Sequence, residues 1–173
     1  LRVVAHGRIA LFEPQGALQL YVDSLQPAGV GDLALRFEAL KARLAAMAGE
    51  VIDIPLIIGG REIRTGDLGK AVMPHKHGHV LATFHHARPK DVTAAIAAAQ
   101  AAKAEWASWP WEDRAAVFLK AADLLATTWR DTLNAATMLN QSKTVYQSEI
   151  DAACELIDFW RYNVAFGADI MRE

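Results

Sequence analysis

The sequence predicts an α/β protein of the α+β type, in which short hairpins come first and helices follow. Three observations carry this: period-two alternation near the start, Gly-rich turns between apolar runs up to Arg64, and three-and-four spacing of apolar residues from Pro89 onward. The 173 residues are 53% hydrophobic with a formal net charge of −2. That suits a folded core and gives no sign of the basic face a phosphate backbone demands, so nucleic acid is not an expected partner.

The elements follow in order. From Val3 to Phe12, Val3, Ala5, Ile9 and Leu11 alternate with Arg2, His6 and Arg8. Glu13-Pro-Gln-Gly16 reads as a turn, and Leu18, Leu20 and Val22 alternate again, completing a hairpin. Asp32 is placed to cap a helix carrying Leu33, Phe37, Leu40, Leu44 and Met47 on one side and ending near Gly49. Ile52 to Arg64 reads as a second hairpin around Gly59-Gly60, and Val80, Ala82 and Phe84 as a further strand. A helix from Pro89 presents Val92, Ile96 and Ala99. The next, with Pro110 near its first turn, presents Ala115, Phe118, Ala122 and Leu125. A shorter helix spans about Trp129 to Leu139. A final one runs from about Val145, with Ile150, Cys154, Ile157, Arg161 and Val164 along one side and Asp151, Glu155, Asp158 and Tyr162 beside them.

Several motifs point to no chemistry of their own. His75, His77 and His79 alternate and would share one side of a strand, but paired Cys or carboxylate ligands at metal spacing are missing, so a polar turn is the better reading and no metal is expected. Gln141-Ser-Lys-Thr144 lacks the full phosphate-loop pattern. Trp106, Trp109 and Trp111 cluster at a helix junction, and Trp129 and Trp160 fall in or near apolar stripes, which predicts core packing. The single cysteine, Cys154, cannot form an internal disulfide. It reads as a buried structural thiol in a reducing, cytoplasmic setting. No apolar run approaches the ~20 residues needed to span a bilayer, so no membrane is expected. The start, Leu1-Arg-Val-Val-Ala-His6, has no signal-peptide pattern and reads as the middle of a strand cut from something longer.

Two resemblances divide the chain. Gly7-Arg8, Leu11-Phe12-Glu-Pro14, Gly16, Gln19 and Asp23-Ser-Leu-Gln-Pro-Ala-Gly29 resemble the last strands of the OB-fold in the exonuclease VII large subunit. Only about two of that barrel's five strands are present. From about Ile52 the chain resembles the N-terminal part of the L-glutamate γ-semialdehyde (1-pyrroline-5-carboxylate) dehydrogenases of the aldehyde dehydrogenase superfamily. The matching pieces are Asp53-Ile-Pro-Leu-Ile-Ile-Gly-Gly60, Pro74-His-Lys-His77, Val80-Leu-Ala-Thr83, Phe118-Leu-Lys-Ala-Ala-Asp-Leu-Leu125, Ala135-Ala-Thr-Met138 and Glu149-Ile-Asp-Ala-Ala-Cys-Glu-Leu-Ile-Asp-Phe159. The expected domains are therefore 1–50 and an incomplete 51–173, with the junction between Leu33 and Val51.

The second resemblance implies NAD-dependent oxidation of glutamate γ-semialdehyde to glutamate, in proline breakdown. It also implies that the nucleophilic cysteine, the oxyanion asparagine of a Pro-Phe-Asn segment and the base lie outside these residues. No catalytic or NAD-binding residue is thus expected here, and this chain alone is expected to be inactive and to bind NAD poorly. One role carries over: Glu155 faces the α-ammonium group of the small-molecule substrate, with Phe159 and Arg161 supporting it by packing. Where that family has glycine this chain has Asn140, which tolerates a left-handed helix end. Helix faces meant for a missing core predict self-association. The alternative function is a small nucleic-acid-binding or assembly module related to the exonuclease subunit.

Overall fold

The computed structural model describes the backbone of residues 3–12, 17–27 and 30–173, with side chains from Leu35 onward. The chain divides into two compact units, Leu1–Ala39 and Leu40–Glu173. In the first, β1 (Val3–Phe12) and β2 (Ala17–Pro27) pair antiparallel with an irregularity between His6 and Gly7, giving the hairpin that alternation predicts. Its turn, Glu13 to Gly16, lies outside the described residues. The exonuclease resemblance falls on residues 7–29, of which 13–16 and 28–29 lie outside the described residues and the rest are described as backbone alone.

Helix α1 spans Val30–Gly49 and ends where expected, but it begins ahead of Asp32. Asp32 therefore sits within the first turn instead of before it. The division between units falls inside α1, so its second half packs with the remainder of the chain. Leu40 and Met47 are buried with Ala135, and Leu44, Ala136, Met138 and Leu139 close around them. Arg43 Nε donates to Thr132 Oγ1 at 3.1 Å.

Strands β3 (Ile52–Ile54), β6 (Leu68–Met73) and β7 (Lys76–His85) form a sheet in the order β3-β7-β6, parallel for β3–β7 and antiparallel for β6–β7. A separate small hairpin, β4 (Leu56–Ile58) with β5 (Arg61–Ile63), turns at Gly59 and Gly60, whose φ values are +56° and +75°. Two successive left-handed residues suit the right-handed twist of the flanking strands, and glycine adopts them without strain. The expected hairpin of residues 52–64 is thus narrower than its sequence suggests, because Ile52–Ile54 pairs with β7 instead.

The remaining elements are α2 (Pro89–Ser108), α3 (Trp111–Ala126), α4 (Arg130–Gln141), a short α5 (Val145–Ser148), a π-helical turn (Glu149–Cys154) and α6 (Glu155–Ile170). A core forms where α3 meets the π turn and α6: Ala122, Leu125, Ala153 and Ile157 are buried, with Ala126, Leu133, Leu156 and Trp160 packed against them. Alanines at Ala122 and Ala153 let the helices approach closely. Gly167 serves the same end farther along, since a Cβ there would lie 2.5 Å from the Trp111 ring.

Several expected core positions face outward. Phe118 is 44% exposed although Ala115, Ala122 and Leu125 of its stripe are buried. On α2, Val92 and Ile96 are exposed and Asp91 is the buried residue. Trp106, Trp109 and Trp129 are also exposed, and Trp106 tilts against Trp109 at 5.4 Å between ring centroids. Core packing holds better for Trp160. Asn140 lies inside α4; the left-handed residue is Ser142, with φ of 54°. The uninterrupted helix expected from Val145 is broken by the π turn, which places Ile150 outside the core and Ala153 in it.

Candidate functional site

The segment leading to Glu155 starts with reciprocal capping. Thr144 N–H donates to Gln147 Oε1 at 2.9 Å, and Gln147 N–H donates to Thr144 Oγ1 at 3.3 Å, satisfying two donors that a helix start leaves open. Ser148 is fully buried and donates its hydroxyl to Val145 O at 3.1 Å. Next comes the π turn, in which backbone hydrogen bonds span one residue more than in an α-helix.

Glu149, first in that turn, is held by α4. Arg130 Nε donates to Glu149 Oε1 at 3.0 Å, Arg130 NH2 pairs with the same carboxylate, and Asn134 Nδ2 donates to Oε2 at 2.5 Å. Asn134 is only 3% exposed, so this cluster is anchored in the interior. A forked guanidinium on a carboxylate fixes direction as well as distance. Glu149 in turn holds the Arg130 guanidinium firmly protonated, its pKa raised above the ordinary value first by that hydrogen bond. Nothing singles out this clamp in the sequence, because Arg130 and Glu149 lie on different helices.

Cys154 closes the turn half-buried, less enclosed than the buried structural thiol the sequence predicts, and Arg130 NH2 approaches its sulfur at 3.4 Å. Lys143 pairs with Asp151 on the turn's outer side.

Glu155 opens α6 and is exposed, with no hydrogen bond or ion pair to its carboxylate among the described residues. Asp158, Phe159 and Tyr162 are exposed within the following two turns, and Tyr162 stacks on Phe166 at 6.2 Å. Carboxylates beside aromatic rings suit a small organic cation. Arg161 does not pack beneath this side; NH2 pairs with Asp123 Oδ1 of α3 at 3.1 Å, in solvent. Phe159 is exposed, so it supplies an apolar surface and not a buried support.

Two of the alternating histidines go to separate partners. His75 Nδ1 meets Ser142 Oγ at 2.7 Å, while His79 Nε2–H donates to the Ala48 carbonyl at 2.8 Å, capping the end of α1. Among the described residues no group of three or more His, Cys, Asp or Glu is gathered as a metal centre. The histidine with the densest contacts lies a short distance along the chain from that alternation. His85 is buried, accepts from Gly66 N–H at 3.1 Å on Nδ1 and faces Asp53 Oδ1 at 3.3 Å through Nε2. Asp53 accepts from Arg64 Nε at 2.7 Å, and Arg64 NH1 also donates to Glu62 at 2.7 Å. The Arg64 hydrogen bond holds the Asp53 carboxyl below its ordinary pKa. This chain of contacts ties β3, β5 and β7 together.

The sequence profile of the aldehyde dehydrogenase family matches residues 65–173. The delta-1-pyrroline-5-carboxylate dehydrogenase of Dictyostelium discoideum, a mitochondrial protein, is 49% identical over 134 residues, covering 78% of this chain and 24% of that protein. The crystal structure of the delta-pyrroline-5-carboxylate dehydrogenase from Mycobacterium tuberculosis superimposes with a TM-score of 0.78 at 51% identity, over 80% of this chain and 26% of that one. The same enzyme bound with NAD gives 0.76 at 47% identity, over 90% of this chain and 30% of that one. The chain spans about a quarter of the length of the curated relatives it matches. No helix among the described residues is long and apolar enough to cross a membrane. With its α+β arrangement of a short sheet and close-packed helices matching the N-terminal region of these enzymes, the chain belongs to the aldehyde dehydrogenase family.

Proposed function

We propose that these residues form the amino-terminal part of an NAD-dependent L-glutamate γ-semialdehyde (1-pyrroline-5-carboxylate) dehydrogenase of proline catabolism, and that Glu155 receives the substrate's α-ammonium group. The observation that carries this reading is the 51% identity, at a TM-score of 0.78, with an enzyme of that name. An exposed carboxylate with no partner among the described residues, flanked by Phe159 and Tyr162, supplies charge and acceptors for a bound ammonium.

Aldehyde oxidation of this kind needs a thiolate nucleophile, a donor for the oxyanion and a carboxylate that activates water. The chain's one cysteine is committed to the π turn against Arg130, so it does not supply the first. Nor do the described residues fit the dinucleotide. The parallel pair β3–β7 leads into α2 through Arg88 and Pro89, and not through a glycine-rich turn. At the start of α2 the buried Asp91 carboxylate accepts from Arg88 N–H at 3.0 Å and from Arg88 Nε at 2.7 Å, filling the position a pyrophosphate would need with a like charge. A half-buried lone thiol fits a reducing compartment.

The test is the intact mass of the polypeptide in its native source, set against the 18.9 kDa of these residues, together with NADH formation from glutamate γ-semialdehyde. A heavier, active product is expected, and the isolated 173 residues are expected to be inactive. A native product that reduces no NAD with this aldehyde would overturn the reading.

A further inference from the structure

The buried positions on either side of the π turn are out of step with one helix. On an unbroken α-helix, positions i+4 and i+7 share the side of residue i. Starting from the fully buried Ser148, those positions are Ala152 and Glu155. The buried residues are instead Ala153 and Ile157, with Leu156 and Trp160 packed beside them; Ala153 and Leu156 each fall one place later than those two positions. A π turn inserts the extra residue that this offset requires.

Both sides of the turn are fixed independently. Ahead of it, the Thr144–Gln147 capping box and buried Ser148 set the phase. Beyond it, Ala153 and Ile157 are locked against Ala122 and Leu125. Between them, Arg130 and Asn134 grip Glu149 from α4. We infer that this clamped π turn is what rotates Glu155 out of the buried side of the helix, making Arg130, Asn134 and Glu149 positioning residues for recognition of the substrate's ammonium group.

This rests on the proposed role of Glu155, and the experiment separates the two. In the full-length polypeptide that carries these residues, kcat/KM is measured for glutamate γ-semialdehyde and for glutaric semialdehyde, the same aldehyde without the α-ammonium. Glu155→Gln is expected to lower the preference for the ammonium-bearing substrate about tenfold, the loss of one charged hydrogen bond, mainly through KM. Glu149→Gln and Arg130→Gln should lower it in the same direction. Arg130→Lys, which keeps the charge but not the fork, should fall between them and the parent.

If Glu155→Gln leaves the preference unchanged, the substrate role of Glu155 fails, and the positioning inference with it. If Glu155→Gln lowers the preference and the Arg130 and Glu149 variants do not, the positioning role alone is overturned. An equal fall on both substrates in those variants also overturns it, because it marks general structural damage. Should Glu149→Gln fail to fold, Arg130→Lys decides the question.

Discussion

Leu125→Ala tests the core that joins α3 to the π turn and α6. The side chain is 2% exposed, so its replacement by Ala removes three buried carbons, worth about 2.4 kcal/mol at ~0.8 kcal/mol each. To this is added the hole left behind, at roughly 24 cal/mol per Å³ that neighbours fail to fill. The nearest buried neighbours include Ala122 and Ala153, both at 0% exposure, whose methyl groups have no rotamers with which to close the gap. The loss should therefore fall in the upper part of the range for such changes, at about 4 kcal/mol. Val117→Ala, on the same helix but 49% exposed, removes less apolar surface from the interior and should cost about 0.8 kcal/mol. Urea titrations followed by far-ultraviolet circular dichroism, at one low protein concentration, compare the two. With a slope of about 2 kcal/mol/M, Leu125→Ala moves the midpoint down by about 2 M, or abolishes the folded baseline if the parent is marginal. A shift no larger than that of Val117→Ala would refute the assignment of this core.

Three more outcomes are expected. Gly60→Ala should cost about 1–2 kcal/mol, because an added Cβ meets no atom within 4 Å and the whole penalty comes from φ of +75°; a midpoint equal to the parent's would refute the turn geometry. Asp53 has its pKa lowered first by the Arg64 hydrogen bond, so its contribution is present above the ordinary carboxyl value of 3.8 and is lost as pH falls through the folded value. Asp53→Asn should thus flatten the acid limb of a stability–pH curve below about 4, and an unchanged limb would rule this out. The isolated chain should self-associate through Val92, Ile96, Phe118 and Phe166, seen as a sedimentation coefficient that rises with concentration; a monomer at every concentration would contradict it.

The helices were legible because each carries a periodic stripe, a proline near its start or a capping residue. The strand β6 was not. Gly69 interrupts Leu68–Met73, yet a Cβ there would lie 2.3 Å from the Phe84 ring on the neighbouring strand, so the residue that hides the strand is the one its packing requires. The π turn escaped for a related reason. Counting at a period of 3.6 assigns Ile150 and Cys154 to the apolar side, and the one-place offset emerges only when Ser148 and Ala153 are both found buried. Glu155 is singled out in the sequence by its neighbours in the motif, whereas the clamp on α4 is not, since Arg130 and Asn134 reach Glu149 through a contact between separate helices. The outward turn of Val92 and Ile96 was equally hidden, because periodicity reports that a helix has an apolar side without saying what covers it.

The sheet order β3-β7-β6 has a kinetic consequence. Its central strand is the last of the three to be synthesised, and Ile52 finds its partner Ala82 only after the β4–β5 hairpin and β6 have left the ribosome. Loop closure of that length precedes any reward from pairing. The local β4–β5 hairpin can form while the nascent chain is still growing, whereas β3 remains an unpaired apolar edge until β7 arrives, and it is during that interval that this region is most open to chaperones and to misassembly.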